Sequence, residues 1–202
     1  MKAVTMKKIL ILNGSPVKNG NTAKFVAWFA QEARKEGASV KVVRAASLSS
    51  KVNGCISCRA CQKSAKYECV FKDDVNDVLK EMQKADVIVF ATPLYFYGPS
   101  AQLKLIIDRM FSLYKWDNKT DTFVSPMRGK SMGLILSAYE DIGLDIVEKS
   151  FKFIADYSEM NFSSFLVPDA RESGEVEDIK GIRGRVKKFA RGLKLHHTCR
   201  TL

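Results

Sequence analysis

Lys7-Lys-Ile-Leu-Ile-Leu-Asn13-Gly14-Ser15-Pro16-Val-Lys-Asn19-Gly20-Asn21-Thr22 begins as an aliphatic run and breaks into small and polar residues. Residues 7–13 read as a short aliphatic strand ending in a turn. Phe25, Phe29 and Ala33, at helical spacing and stopped by Gly37, read as a helix over about 21–36. A strand that turns through such a loop into a helix presents backbone amides and a positive helix end at its carboxyl edge. The Ser15 and Thr22 hydroxyls and the Asn21 amide can add donors, and one phosphate suits the loop. Gly20-Asn21-Thr22 lacks the lysine of a Walker loop, and no Gly-x-Gly-x-x-Gly follows any strand, so a monophosphate fits better than a di- or trinucleotide. An ordinary turn with an Asn N-cap accounts for the same residues.

The alternation continues along the chain. Further strands are predicted over 39–44, 86–92, 130–137 and 162–167. Helices are predicted over about 73–84, 100–113 and 175–193, the last weakened by Gly181 and Gly184. Ile142, Ile146, Phe151 and Ile154 mark another helix, and a polar, Trp-containing connection precedes the fourth strand. Five strands separated by helices imply a parallel sheet covered on both faces, with ligands at the strand carboxyl ends. The 202 residues suit one domain over 1–202, interrupted by a cysteine-rich loop at about 45–72.

That loop holds Cys55, Cys58, Cys61 and Cys69, four of the five cysteines. Two successive two-residue gaps bring three thiols together from one short segment, and the fourth can complete an all-thiolate shell around an iron–sulfur cube. Val70 follows the fourth cysteine where bacterial ferredoxins have proline. Zinc, or thiols left free or oxidised in pairs, are the other readings. His196, His197 and Cys199 read as a frayed tail, since adjacent histidines point apart.

The third strand ends in Thr92-Pro93-Leu94-Tyr95-Phe96-Tyr97-Gly98-Pro99-Ser100, a turn between prolines that displays consecutive aromatics and suits a flat ring. With Gly14-Ser15-Pro16, Asn19-Gly20-Asn21-Thr22, Leu103-Lys104 and Asp108-Arg109, this order of motifs resembles the flavodoxin-like NAD(P)H-dependent FMN reductases over about 7–167. The cysteine loop narrows the resemblance to iron–sulfur flavoproteins.

The resemblance implies a flavodoxin-like three-layer sandwich with a five-stranded parallel sheet of order 2-1-3-4-5 and FMN at the strand carboxyl ends. It implies a cofactor-binding set of Ser15, Pro16, Asn19, Asn21 and Thr22 around the phosphate loop, with Pro93, Leu94, Tyr95 and Phe96 along the isoalloxazine, and Ser137 and Tyr139 after the fourth strand. Where many relatives are glycine-rich, this chain has Ser137-Ala138-Tyr139-Glu140-Asp141. Cys55, Cys58, Cys61 and Cys69 would ligate a [4Fe-4S] cluster. NAD(P)H would be co-substrate, with flavin, a quinone or a similar small molecule as acceptor and ferredoxin as a one-electron partner. No side chain need act as a nucleophile. A homodimer or homotetramer is implied. A non-catalytic flavin-binding electron carrier or regulatory protein without a cluster is the alternative.

The formal charge of +11 favours anionic partners, but the basic residues are dispersed and form no recognised nucleic-acid reader, so no nucleic-acid partner is expected. Lys180, Arg183, Arg185, Lys187, Lys188 and Arg191 read as a solvated helix face. No aliphatic run approaches the ~18 residues of a membrane span. The four-residue run behind the basic start is too short for a signal peptide, so a cytoplasmic protein is expected.

Overall fold

The computed structural model of the chain describes residues 6–195. Strands β1 (Lys8–Asn13), β2 (Ser39–Arg44), β3 (Val87–Tyr95), β7 (Ser131–Ser137) and β8 (Asn161–Val167) form a parallel sheet in the order β2-β1-β3-β7-β8. Counting only these five strands, the order is 2-1-3-4-5, the flavodoxin-like arrangement. The inner strands are apolar on both faces because helices cover both. Ile9, Ile11, Val87 and Val89 pack with Phe25 and Phe29 of α1 (Asn21–Lys35) and Val186 of α5 (Ile182–Leu195). Leu10, Leu12, Ile88 and Phe90 pack with Leu79 of α2 (Asp74–Lys84), Leu103 of α3 (Ala101–Arg109) and Phe151 of α4 (Leu144–Tyr157). Each large side chain so buried contributes roughly 1.5–3 kcal/mol. Among the described residues no helix is long and apolar enough to cross a membrane.

Several local expectations are corrected. β3 runs past Thr92 through Pro93 to Tyr95. Its pairing with β1 ends at Ala91, so Pro93, which lacks an N–H, interrupts no pairing with β1, and β7 continues alongside as far as Pro93. The chain then reverses over Phe96 and Tyr97 into β4 (Gly98–Pro99). The polar connection folds as a hairpin, β5 (Lys115–Asp117) with β6 (Thr122–Val124), held by Trp116 edge-on to Phe123 at 5.0 Å. The last helix begins only at Ile182, because Gly181 adopts φ +74°, which a continuous right-handed helix does not admit.

In α4 the buried stripe is Leu144, Val147, Phe151 and Ala155, whereas Ile142 and Ile146 are 57% and 51% exposed. The helix starts after Ile142, and Ile146 lies on its outer side. The basic face of α5 is not solely solvated: Arg191 bonds the buried Glu32 of α1 at 2.6 Å, and Arg183 lies 4.8 Å above the Trp28 ring. The histidines and Cys199 of the C-terminal segment lie outside the described residues.

Candidate functional site

At the carboxyl ends of β1, β3 and β7, an open cleft of about 290 Å³ is lined by Ser15, Asn21, Thr22, Pro93, Leu94, Tyr95, Ser137 and Tyr139, together with Ala170, Arg171 and Ser173. Its polar floor is built by the loop after β1. The buried Asn13 accepts the Ser15 N–H at 3.0 Å, and Ser15 Oγ accepts the Val17 N–H at 3.2 Å, which fixes the loop as it leaves the strand. Helix α1 has Gly20 at its N-cap, no side-chain cap and no acidic residue in its first turn. Its unclaimed amides and dipole therefore favour an anion there. The buried Thr22 hydroxyl lies 3.2 Å from that of Ser137, which ties the loop to the end of β7.

One chain of hydrogen bonds aligns this polar floor with the aromatic wall. The Gly14 N–H donates to the Ala91 carbonyl at 2.7 Å, and the Gly14 carbonyl accepts from Ser100 Oγ at 2.6 Å. The Ser100 N–H donates to Thr92 Oγ1 at 3.0 Å, while Ser100 Oγ also caps α3 by accepting from Leu103 N–H. The tip between β3 and β4 places both Phe96 (φ +45°) and Tyr97 (φ +60°) in the left-handed region. A two-residue hairpin needs that geometry but ordinarily takes Asn or Gly. Bulky residues held there cost about 1–3 kcal/mol each, a strain typical of functional turns.

Most of the predicted cofactor set converges on the cleft. Pro16 and Asn19 are exposed outside it, and Phe96 projects fully into solvent. Asn21 lines the cleft, but its amide is engaged: Nδ2 donates to the carbonyls of Ala170 and Glu172, and Oδ1 accepts the Gly174 N–H. It builds the wall rather than presenting a free donor. The residues missed from sequence are those of that wall. Arg171 sits 5.9 Å over the Tyr139 ring, and the segment after β8 has no periodicity that marks it. Only its place at a strand's carboxyl end could have pointed to it.

The cysteine loop leaves β2 at the same edge but comes to rest against the far end of α3. Cys55, Cys58, Cys61 and Cys69 line one cavity with Arg109, Phe111 and Ser112. The nine residues of α3 rise about 14 Å, so this cavity lies roughly one helix length from Ser100. Ser57 (φ +54°) and Arg59 (φ +55°) bend the first thiol run around Cys58. Gln62 donates to Cys61 Sγ at 3.6 Å and to the Tyr114 carbonyl at 2.9 Å, and Lys115 Nζ donates to the Cys61 carbonyl. The buried Asn76 accepts the Cys69 N–H at 2.8 Å.

Beneath them Arg109, with its side chain 1% exposed, forms a two-pronged pair with Asp73 at 2.7 and 2.9 Å. Burial alone would raise the Asp73 pKa. The bonds from Arg109 and from the Lys51 and Asn76 amides outweigh it and hold the carboxyl at about 2. Burial likewise opposes the Arg109 charge, but Asp73 and the Cys69 sulfur outweigh it and raise the pKa of the guanidinium. None of these four cysteines is in a disulfide. Among the described residues no three Cys, His, Asp or Glu side chains form a ready metal-ligand group. Four soft thiols around one cavity, beside a buried cation, are nonetheless the donor chemistry of an iron–sulfur centre.

The fold and the cleft at the sheet's switch point define a flavodoxin-like protein. The family model for NADPH-dependent FMN reductase matches residues 7–163, and the chain belongs to that family. An iron–sulfur flavoprotein of Methanocaldococcus jannaschii is 39% identical over 103 residues, 50% of this chain and 51% of that protein. One from Archaeoglobus fulgidus is 37% identical over 105 residues, 52% of this chain and 46% of that protein. The chain thus spans about half the length of these curated relatives. The NAD(P)H:quinone oxidoreductase from Methanothermobacter marburgensis superposes with a TM-score of 0.74 at 15% identity, over 96% of this chain and 100% of that one, which supports the fold.

Proposed function

We propose that the chain is an FMN-dependent oxidoreductase that takes electrons from NADH or NADPH and delivers them to a small acceptor such as flavin or a quinone, and that its cysteine loop carries a [4Fe-4S] centre. The observation that carries the reading is the single cleft uniting the uncapped α1 N-terminus, the Thr22–Ser137 hydroxyl pair and the Pro93–Tyr95 wall. When bound, FMN supplies exchange of electrons in pairs with a nicotinamide or singly with a metal centre. The protein's share is binding and orientation. Ser15 and Thr22 donate to the phosphate alongside the amides of α1. Pro93, Leu94 and Tyr95 form an apolar wall for the ring, and Tyr139 with Arg171 closes the opposite rim. Cys55, Cys58, Cys61 and Cys69 would hold the cluster in their shared cavity, and the relatives' names support that assignment.

Self-association belongs to the same proposal, with a second copy of the chain covering the face between α3 and α4. Phe111, Phe153 and Tyr157 expose apolar surface around a groove there. The charges beside it are neutralised in pairs, Asp145–Lys149, Lys152–Asp156 and Arg128–Glu159. For a chain of net charge +11, such a face lets two copies meet with the least repulsion.

Anaerobic purification followed by visible absorption, iron and sulfide analysis, and NADH and NADPH oxidation assays tests the function. Flavin without iron would overturn the cluster, and flavin without nicotinamide oxidation would favour a carrier. Light scattering of wild type and Phe153→Glu tests the assembly, and a monomeric wild type sinks it.

A further inference from the structure

Three buried side-chain nitrogens are without a hydrogen-bond partner among the described residues, and two of them belong to side chains that flank Cys69. Asn76 Nδ2 is on the side chain that holds the Cys69 amide, and Arg109 Nε is on the guanidinium beside its sulfur. The other nitrogens of Arg109 are fully used. Nη1 donates to Asp73 and Ser50, and Nη2 donates to Asp73 and the Phe71 carbonyl. Such a lock fixes the plane of the guanidinium and leaves one donor over. An unmet donor on a nearly fully buried cation is costly, so it is kept where something meets it. Arg109 lines the cavity of the four cysteines, and none of the other cavity-lining side chains is a carboxylate.

We propose that Arg109 is a positioning residue for the cysteine centre: Asp73 locks its terminal nitrogens, and its free Nε donates to a sulfur of the group that the four cysteines hold. This rests on the reading that they hold an iron–sulfur centre. The negatively charged, sulfur-rich surface of such a centre is the acceptor that a guanidinium satisfies best. A hydrogen bond and a positive charge beside the sulfurs stabilise the reduced form, which carries one more negative charge, and so raise the reduction potential. The Asp73 carboxylate offsets part of that charge. Nε–H is therefore the part of Arg109 whose effect the pair does not cancel.

Arg109→Gln and Arg109→Lys, prepared anaerobically with wild type, test this by iron and sulfide content, electron paramagnetic resonance of the reduced centre, and redox titration of centre and flavin in one sample. Arg109→Lys keeps the charge and can still meet Asp73 but has no Nε, so it decides the matter if Arg109→Gln does not fold. The centre should stay loaded in Arg109→Lys while its one-electron reduction becomes at least tenfold less favourable, a fall of 59 mV. The flavin potential should hold still, and the resonance of the reduced centre should change. A loaded centre with wild-type potential and resonance in Arg109→Lys would show that Arg109 only braces Asp73. Iron-free wild-type protein would instead sink the cluster reading itself, whatever the variants do.

Discussion

The Ser100 hydroxyl donates a 2.6 Å hydrogen bond to the Gly14 carbonyl, so α3 is fastened to the loop after β1 at the residue where the chain leaves that strand. A Cβ at position 14 would stand 2.7 Å from Leu103 Cβ and 2.8 Å from Ser100 Oγ, closer than a Cβ approaches another heavy atom. Gly14→Ala must therefore push α3 away from the loop. It should destabilise the protein by about 1–3 kcal/mol, lower the melting temperature by roughly 2–4 °C per kcal/mol, and reduce the flavin retained on purification. Calorimetry and flavin content check both, and wild-type values would show that the contact yields freely.

Thr22 is nearly fully buried, and its hydroxyl faces Ser137 at 3.2 Å across the cleft floor. Thr22→Val keeps the shape and removes a donor to a charged phosphate, a bond of about 1.5–3 kcal/mol. The FMN dissociation constant, read by quenching of flavin fluorescence, should rise about tenfold or more. Ser137→Ala should act in the same direction, and the double variant should fall short of the sum because the two hydroxyls share one interaction. Additive losses would mean that each meets the ligand alone.

The sheet and most of the cleft were legible because their signals are local. Ile9–Leu12 before Gly14-Ser15-Pro16 marks a buried strand entering a turn, and strand carboxyl ends locate ligands in this class of fold. The Arg171 wall was not legible, since long-range bonds bring that segment to the cleft: Asn21 donates to the Ala170 and Glu172 carbonyls and accepts from the Gly174 N–H, and the Ala170 N–H donates to the Ala138 carbonyl. The same bonds consume the Asn21 amide that the motif had offered to a phosphate. Pro93 concealed the end of β3, because a proline reads as a strand terminator unless its N–H side has no neighbour. Asp73 and Arg109 lie far apart in sequence, and nothing in either's surroundings announces a buried pair.

Gly143, at φ +79°, stands before α4 with the Tyr97 ring against it, and a Cβ there would lie 2.5 Å from Tyr97 Cδ1. Gly143→Ala carries two costs, the left-handed backbone at about 1–2 kcal/mol and displacement of the ring from the strained β3–β4 tip. Tyr97→Ala relieves only the second. The double-mutant cycle should therefore show a favourable coupling of about 0.5–3 kcal/mol, leaving the backbone cost in place. A coupling of zero in denaturant unfolding would mean that the tip moves aside without resistance.

The Asp73 carboxyl has a pKa of about 2 in the folded chain against 3.8 for the ordinary value, with its side chain 3% exposed. A group whose pKa is depressed by folding stabilises the protein above its unfolded value and loses that contribution as pH falls through the folded one. The pair should therefore contribute about 2 kcal/mol at neutral pH, nearly undiminished down to about pH 4 and mostly lost by about pH 2. Melting temperatures of the metal-free protein between pH 2 and 7 should fall across that window. Asp73→Asn strands the Arg109 charge and turns Oδ2, which accepts from Arg109 Nη1 at 2.7 Å and from the Lys51 N–H at 3.0 Å, into an amide donor, while its Oδ1 can still accept the Asn76 N–H at the start of α2. It should cost about 3–5 kcal/mol at pH 7, and less relative to wild type near pH 2, where Asp73 is itself about half protonated. A stability difference between the two proteins that is the same at both ends of the range would show that the Asp73 charge is not what holds Arg109 in place.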